Sequence, residues 1–402
     1  MLSHILQLSQ IAHKPKRTIL GVMSGTSLDG LDIALCRLEG HGKHTKLRIE
    51  NFVTLPFESD YQSIVKPLFA NANAKLKDVC SANAWVARKH AAMINQVLAN
   101  WDLSSSDIDI VASHGQTIYH RPSHMLDDLQ KGHLPNATLQ IGDGDHIAQL
   151  TGIITLSDFR QKHVAAGGEG APMVKYGDYL LFTDPDEYRV LINLGGIANV
   201  SMIPPNASFS DIISTDTGTA NTYLDAMVQH HLSGQHYDAN GDIAASGKVH
   251  ESLLTALMHH PFLNLPAPKT TGQESFSIEW LSAQMRMTET QALPLPDLLA
   301  TLVEFSAITL CDVIKKLAPL HQALALYASG GGANNPFLLS RIQAHLPQAT
   351  LAPMQELGVS ADAKEAALFA LLANECICGT SDTFKNSKDA PNVSMGKISL
   401  PN

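Results

Sequence analysis

The chain has no run of lysine and arginine, no paired cysteine spacing and no long apolar stretch, and each absence narrows what it can do. Its 28 Lys and Arg stand against 38 Asp and Glu, a formal net charge of −10 over 402 residues. Without a basic tail or cluster to neutralise phosphates, the composition argues against a nucleic-acid partner. A phosphate-bearing small molecule stays open, because backbone N–H groups and a metal balance such charge locally. The five cysteines, Cys36, Cys80, Cys311, Cys376 and Cys378, are odd in number and scattered, which fits a reducing cytoplasm. Cys376 and Cys378 form a lone C-x-C, either a metal pair or plain helix-end residues. No segment reaches the roughly 18 consecutive apolar residues a membrane span needs. Residues 1–17 lack the apolar core of a signal peptide and read as a poorly ordered extension before a strand from Thr18. The pattern G-x-G-x-x-G is also missing, which counts against a Rossmann oxidoreductase.

What is present is globular: 45% hydrophobic and 16% charged residues, enough chain for two or three domains. The organising stretch is Ile19 to Leu35, an apolar strand, a Ser24-Gly25-Thr26-Ser27 turn, and Asp29-Gly30 leading into a second strand with Asp32 at its start. Glycines at 25 and 30 permit positive φ and close backbone approach, so the turn is either an ordinary polar hairpin or an anion-binding loop with Asp29 beside it for a hydrated Mg²⁺. Lys46 to Leu55 extends the meander, and a helix is expected over Asn83 to Trp101. The short strand Asp109 to Ala112 then delivers Ser113-His114-Gly115-Gln116-Thr117 at its end, where His114 is a ligand donor, an acid/base or a turn residue. Asp158 follows the strand Ile153 to Leu156 and is placed as a general base, next to the Gly-rich segment Ala165 to Pro172, a linker or a substrate-facing loop.

Asp184-Pro185-Asp186 marks a domain boundary, after which the hairpin arrangement repeats over Arg189 to Ile203. Asp216, with Thr217, Gly218 and Asn221, closes a strand and opens a helix, either as a helix cap or as a second phosphate and Mg²⁺ site. Pro296 to Leu317 is a strongly apolar helix holding Glu304, an exposed-face residue or a ligand group. Ser329 to Asn335 carries three successive glycines, Gly330, Gly331 and Gly332, which would let a flat ring lie against backbone. A final helix covers Ala361 to Cys376, and the polar tail 379–402 is expected to be partly disordered.

Taken together, GVMSGTSLDGLD, SHGQT, LQIGD, DFR, AAGGEGAP, NLGGIANV, DTG with Asn221, TGQESF and SGGGANN resemble, in order from Thr18 to Ala373, the anhydro-N-acetylmuramic acid kinase family, within the superfamily of actin, sugar kinases and heat-shock chaperone ATPases. The resemblance implies an α/β fold of two actin-like (RNase H-like) domains, 18–185 and 186–378, with a deep interdomain cleft, flanked by the extension 1–17 and the tail 379–402. It implies ATP and Mg²⁺ as cofactors, a small-molecule sugar substrate, no membrane or nucleic-acid partner, a homodimer and a cytoplasmic location. It implies Asp158 as the catalytic base. ATP and its phosphates would be held by Gly25, Thr26, Ser27, Leu28, Asp29, Gly30, Leu31, Asp32, Asp216, Gly218, Asn221, Gly330, Gly331, Gly332 and Asn334. His114, Arg160, Gly170 and Glu304 would hold the sugar, and Asp29 and Asp216 the metal through water. The chain departs from the family's DTGPGN at Thr219-Ala220 and from its STGRE at Gln273. Another sugar kinase of the same fold and a non-catalytic actin-like ATPase are the rival readings.

Overall fold

The computed structural model describes residues 2–123, 126, 132–170, 173–272, 275–319, 322–360, 363–380, 383–384 and 391–402. It divides into two compact units, one of Met1–Leu181, Ser208–Ser210 and Gly358–Asn402, the other of Phe182–Ala207 and Asp211–Leu357. The chain begins with a helix, Leu2–His13, in place of the expected poorly ordered extension. Ile11 is buried, and Lys14 reaches Asp109 Oδ1 at 2.5 Å, so a single apolar anchor and an ion pair dock it.

In the first unit β1 (Lys16–Ser24), β2 (Gly30–Glu39) and β3 (Lys46–Pro56) form the expected antiparallel meander. After the helix Leu76–Asn100 come β4 (Ile110–Arg121), β5 (Ala137–Ile141) and β6 (Thr155–Ser157). β4 lies parallel to β1, β6 parallel to β4, and β5 antiparallel to the end of β4. β1 is therefore central, which is why its sequence is nearly continuous apolar residue and not alternating. β4 is longer than its apolar start suggests, and Ser113 to Thr117 lie within it. Val22 pairs with Ser113 and Ser24 with Gln116, so His114 and Gly115 oppose Met23 alone. This is a β-bulge, with Gly115 at φ +75° and its backbone too close to the Ile141 carbonyl for a side chain.

The second unit repeats the plan. β7 (Tyr188–Leu194), β8 (Ile197–Ile203) and β9 (Ile213–Thr219) form a meander, and β10 (Leu324–Ser329) and β11 (Thr350–Pro353) extend the sheet parallel to β7. The strand order β11-β10-β7-β8-β9 matches β6-β4-β1-β2-β3 of the first unit, so both are RNase H-like sheets. β9 also bulges, since Ala198 pairs with Gly218 and Asn199 with Asp216. Asp216 thus sits inside a strand and not at its end. The helix Leu295–Leu317 is buried on most sides, as its apolar sequence requires, and joins β7, β8 and β10 in one core.

Residues from Gly358 onward return to the first unit, so the expected second half ending at Cys378 divides differently. The helix Lys364–Cys378 packs on β1, where Gly21 leaves room for the Ala366 carbonyl, and Arg17 Nε donates to Asn374 Oδ1 at 2.6 Å. Cys376 and Cys378 end this helix, with thiols pushed up by burial. The tail is not disordered where it is described. Met395 and Phe384 are buried, and β12 (Lys397–Ser399) joins the sheet antiparallel to β6. Among the described residues no helix is long and apolar enough to cross a membrane.

Candidate active site

In the first unit the β1–β2 turn is shaped by hydrogen bonds and by one unexpected residue. The left-handed position is Leu28, at φ 57°, and neither Gly25 nor Gly30 has a positive φ. Gly30 is nevertheless required, because a Cβ there would meet the Leu55 carbonyl at 2.6 Å. Leu28 and Leu31 are core residues, so their side chains face away from any ligand. Asp29 Oδ1 accepts from Ser27 Oγ at 2.8 Å and from the Gly30 N–H at 2.9 Å. Its other oxygen makes no hydrogen bond among the described residues and belongs to an exposed side chain, a hard donor suited to hydrated Mg²⁺. Asp32 accepts from Thr54 Oγ1 at 2.5 Å. Behind the turn, Gln116 accepts from Ser24 Oγ and from Tyr61 Oη and donates to the Gly25 carbonyl at 3.1 Å, which ties the β4 bulge to the loop. Gln116 enters the sequence reading only as part of SHGQT, and Tyr61 carries no signal beyond its type.

His114, Arg160 and Gly170 come together as expected. Arg160 donates through Nε to His114 Nε2 at 3.0 Å and through Nη1 to the Gly170 carbonyl at 2.7 Å, and the Gly170 N–H donates to His163 Nδ1 at 2.9 Å. Because Nε2 accepts, the His114 proton resides on Nδ1, a buried atom with no well-formed hydrogen bond among the described residues. Burial, then the Arg160 charge, hold the His114 pKa well below its ordinary value, so the ring is neutral and is no store of an acidic proton.

Asp158 follows β6 directly and occupies the N-cap of the helix Phe159–Ala165. It departs from the usual behaviour of such a residue. Its φ is 53°, and its side chain does not cap the helix. Instead Oδ2 is 2.5 Å from Lys397 Nζ, and Oδ1 makes no hydrogen bond among the described residues. Both residues line a cavity of about 500 Å³ with His114, Gly142, Asp143 and Ser157, a size suited to one amino sugar. Lys397 belongs to the tail and was not singled out by the sequence. Neither was Glu365, on the same unit's last helix. It keeps contact with solvent, yet the protein packed around its carboxyl and the Asp32 charge raise its pKa, with Arg160 and Lys364 opposing.

In the second unit the turn after β7, the start of the helix Asn221–His231 and the Gly-rich turn after β10 meet. Asn221 Nδ2 donates to the Leu194 carbonyl at 2.9 Å, and Asn221 flanks Gly331 and Gly332. Gly330, at φ +81°, and Gly332 pack on Asn193 and Leu194, where a Cβ would sit within 2.8 Å, and of the three only Gly331 is exposed. Asn334 is exposed beside it. Asp216 Oδ2 accepts from the Thr271 N–H at 2.8 Å, and burial raises its pKa against that bond. Gly218, at φ +155°, lies against Thr309. Thr219 Oγ1 and the Ala220 N–H both donate to the Gly196 carbonyl. Gln273 and Glu274 lie outside the described residues.

The family model for anhydro-N-acetylmuramic acid kinase matches residues 17–398. The chain belongs to the anhydro-N-acetylmuramic acid kinase family. It is 48% identical over 403 residues to the kinase of that name from Pseudoalteromonas atlantica, with all of both chains covered. It is 44% identical to that from Pseudoalteromonas translucida, covering 99% of each, and 36% identical to that from Caldanaerobacter subterraneus, covering 98% of this chain and 100% of the relative.

One sugar-binding expectation for this member of the anhydro-N-acetylmuramic acid kinase family changes. Glu304 is buried and fully engaged: Arg341 donates to both its oxygens, at 2.5 and 3.0 Å, and His345 Nε2 is 2.8 Å from Oε1. It locks the helices Leu295–Leu317 and Pro336–His345 together. Burial pushes its pKa up, but the Arg341 and His345 hydrogen bonds and charges outweigh this and hold it below the ordinary value. A lowered folded pKa adds stability above the unfolded value of about 4.3, lost as pH falls through the folded one. Urea midpoints measured from pH 7 to pH 3 should therefore fall less steeply on acidification in Glu304→Gln than in the wild type. At pH 7 the variant should be less stable by roughly 1–3 kcal/mol. Equal slopes would leave Glu304 a bystander.

Proposed function

We propose that the chain is an ATP-dependent kinase that opens the 1,6-anhydro ring of 1,6-anhydro-N-acetylmuramic acid with water and phosphorylates O6, giving N-acetylmuramic acid 6-phosphate in cell-wall recycling. The observation that carries the reading is Asp158, which does not cap its own helix, lines a cavity of about 500 Å³ and has an Oδ1 with no hydrogen bond among the described residues. In this reading Oδ1 takes a proton from a water whose oxygen bonds to the anomeric carbon. The C1–O6 bond breaks with its electron pair on O6, which bonds to the γ-phosphorus as ADP leaves. Leaving group and phosphoryl acceptor are one atom, so ring opening and transfer are coupled.

His114, Arg160 and the Gly170 carbonyl, which keeps a second lone pair beside the bond from Arg160 Nη1, hold the sugar. For nucleotide, the first unit offers backbone N–H groups of Gly25 to Asp29 with the Thr26 and Ser27 hydroxyls, and the second unit offers the exposed Gly331 and Asn334. Mg²⁺ neutralises phosphoryl charge when bound, and Asp29 and Asp216 are the oxygen donors of the right type for its water shell. Five unpaired cysteines support a cytoplasmic setting, and the family resemblance a homodimer.

The test is coupled ADP release with anhydro sugar, ATP and Mg²⁺, with product mass recorded. The expected sugar product is heavier by one phosphoryl group (HPO3) and one water. ADP without the added water would make it another sugar kinase. Sugar-independent ADP release would favour the actin-like ATPase.

A further inference from the structure

We propose that Lys397, on the C-terminal strand β12, is a positioning residue for Asp158 and makes the end of the chain part of the active site. The inference rests on the reading of Asp158 as the base. Antiparallel pairing sets Lys397 opposite Ser157, the residue before Asp158, and brings Nζ within 2.5 Å of Oδ2.

An aspartate at a helix N-cap ordinarily turns back onto the free N–H groups of the first turn. Asp158 does not, and Lys397 is the one hydrogen-bond partner its carboxylate has among the described residues. The ion pair engages Oδ2 and leaves Oδ1 without a hydrogen bond among the described residues, on a residue that lines the same cavity as Lys397. β12 is short but well seated. Met395 and Ser399 are buried on either side of Lys397, and Gly396, at φ +116°, lets the backbone run against the Phe159 ring, where a Cβ would sit at 3.3 Å. Lys397 itself is 62% exposed, so the pair contributes little to folding and the effect of removing it is read in activity.

The test is steady-state kinetics of Lys397→Met, Lys397→Arg and the double variant Lys397→Met/Asp158→Asn, with the anhydro sugar and ATP. Lys397→Met should lose kcat on the order of tenfold with both KM values unchanged, the size expected for a residue that orients a reacting group. Lys397→Arg should recover most of it. The double variant should be no slower than Asp158→Asn, because the two residues act as one unit. An unchanged kcat in Lys397→Met, a change confined to the sugar KM, or a full further loss on top of Asp158→Asn would each overturn the proposal. A wild type that phosphorylates no anhydro sugar would overturn the kinase reading and this one with it, whereas an active wild type with an unaffected Lys397→Met overturns this one alone.

Discussion

Asp158→Asn should lower kcat for the anhydro sugar by about 10²-fold or more while the protein stays folded. Asparagine has nearly the same shape and tolerates the left-handed φ of 53° that this position imposes. What it loses is the ability to take a proton from water and to pair with Lys397. The lost ion pair is largely solvent-exposed on the lysine side, so it costs little stability. The loss in rate is therefore chemical. Binding and orientation of both substrates remain, so KM for ATP should stay close to that of the wild type, and the thermal midpoint should move by no more than a few degrees, the shift that about 1 kcal/mol produces. A variant that kept its rate within a few-fold would remove Asp158 from the role of base. Glu365, whose raised pKa and nearness to Arg160 and Asp32 mark it as the next titratable group of the same unit, would then be the residue to test.

The central strands β1 and β7 are legible because a strand flanked on both sides reads as an unbroken apolar run. Asp158 and the chain from His114 through Arg160 to Gly170 are legible as residue types beside strands, although the bulge that aims His114 is not: it depends on register, and only Gly115 hints at it. Other features depend on contacts far along the chain. Glu304 looks like a ligand group until Arg341 and His345, carried by a different helix, take up its carboxylate. Lys397 sits in a three-residue strand whose side chains show no periodicity, so its pairing with β6 has no local signature. The positive φ of Leu28 is likewise imposed by the turn around it, since its own sequence favours neither glycine-like nor asparagine-like geometry. Chain order also suggests that the helix Lys364–Cys378 belongs with the sheet before it. It packs instead on β1, and the mark it leaves in the sequence is a glycine 345 residues upstream, the separation of Gly21 from its contact at Ala366.

Gly21→Ala should be the most destabilising single-methyl change in the first unit, by on the order of 3 kcal/mol or more. A Cβ built on Gly21 would lie 2.0 Å from the Ala366 carbonyl oxygen and 2.8 Å from its carbon, with Ala370 Cβ at 3.2 Å. The first two are backbone atoms of a buried helix, so no rotamer change relieves them and the helix as a whole must move off the strand. That helix carries Phe369, which lies against His114 with ring centroids 4.6 Å apart, and Asn374, which fixes Arg17. Loss of stability and loss of activity should therefore appear together in Gly21→Ala, in contrast to Asp158→Asn, where activity falls alone. Urea unfolding followed with probes in the first unit measures the first effect, and turnover below the unfolding range the second. Adding Ala370→Gly should rescue little, because it frees only the 3.2 Å side-chain contact and leaves the carbonyl in place. Substantial rescue by Ala370→Gly would mean that side-chain crowding, and not the close approach of two backbones, is what requires glycine at this position.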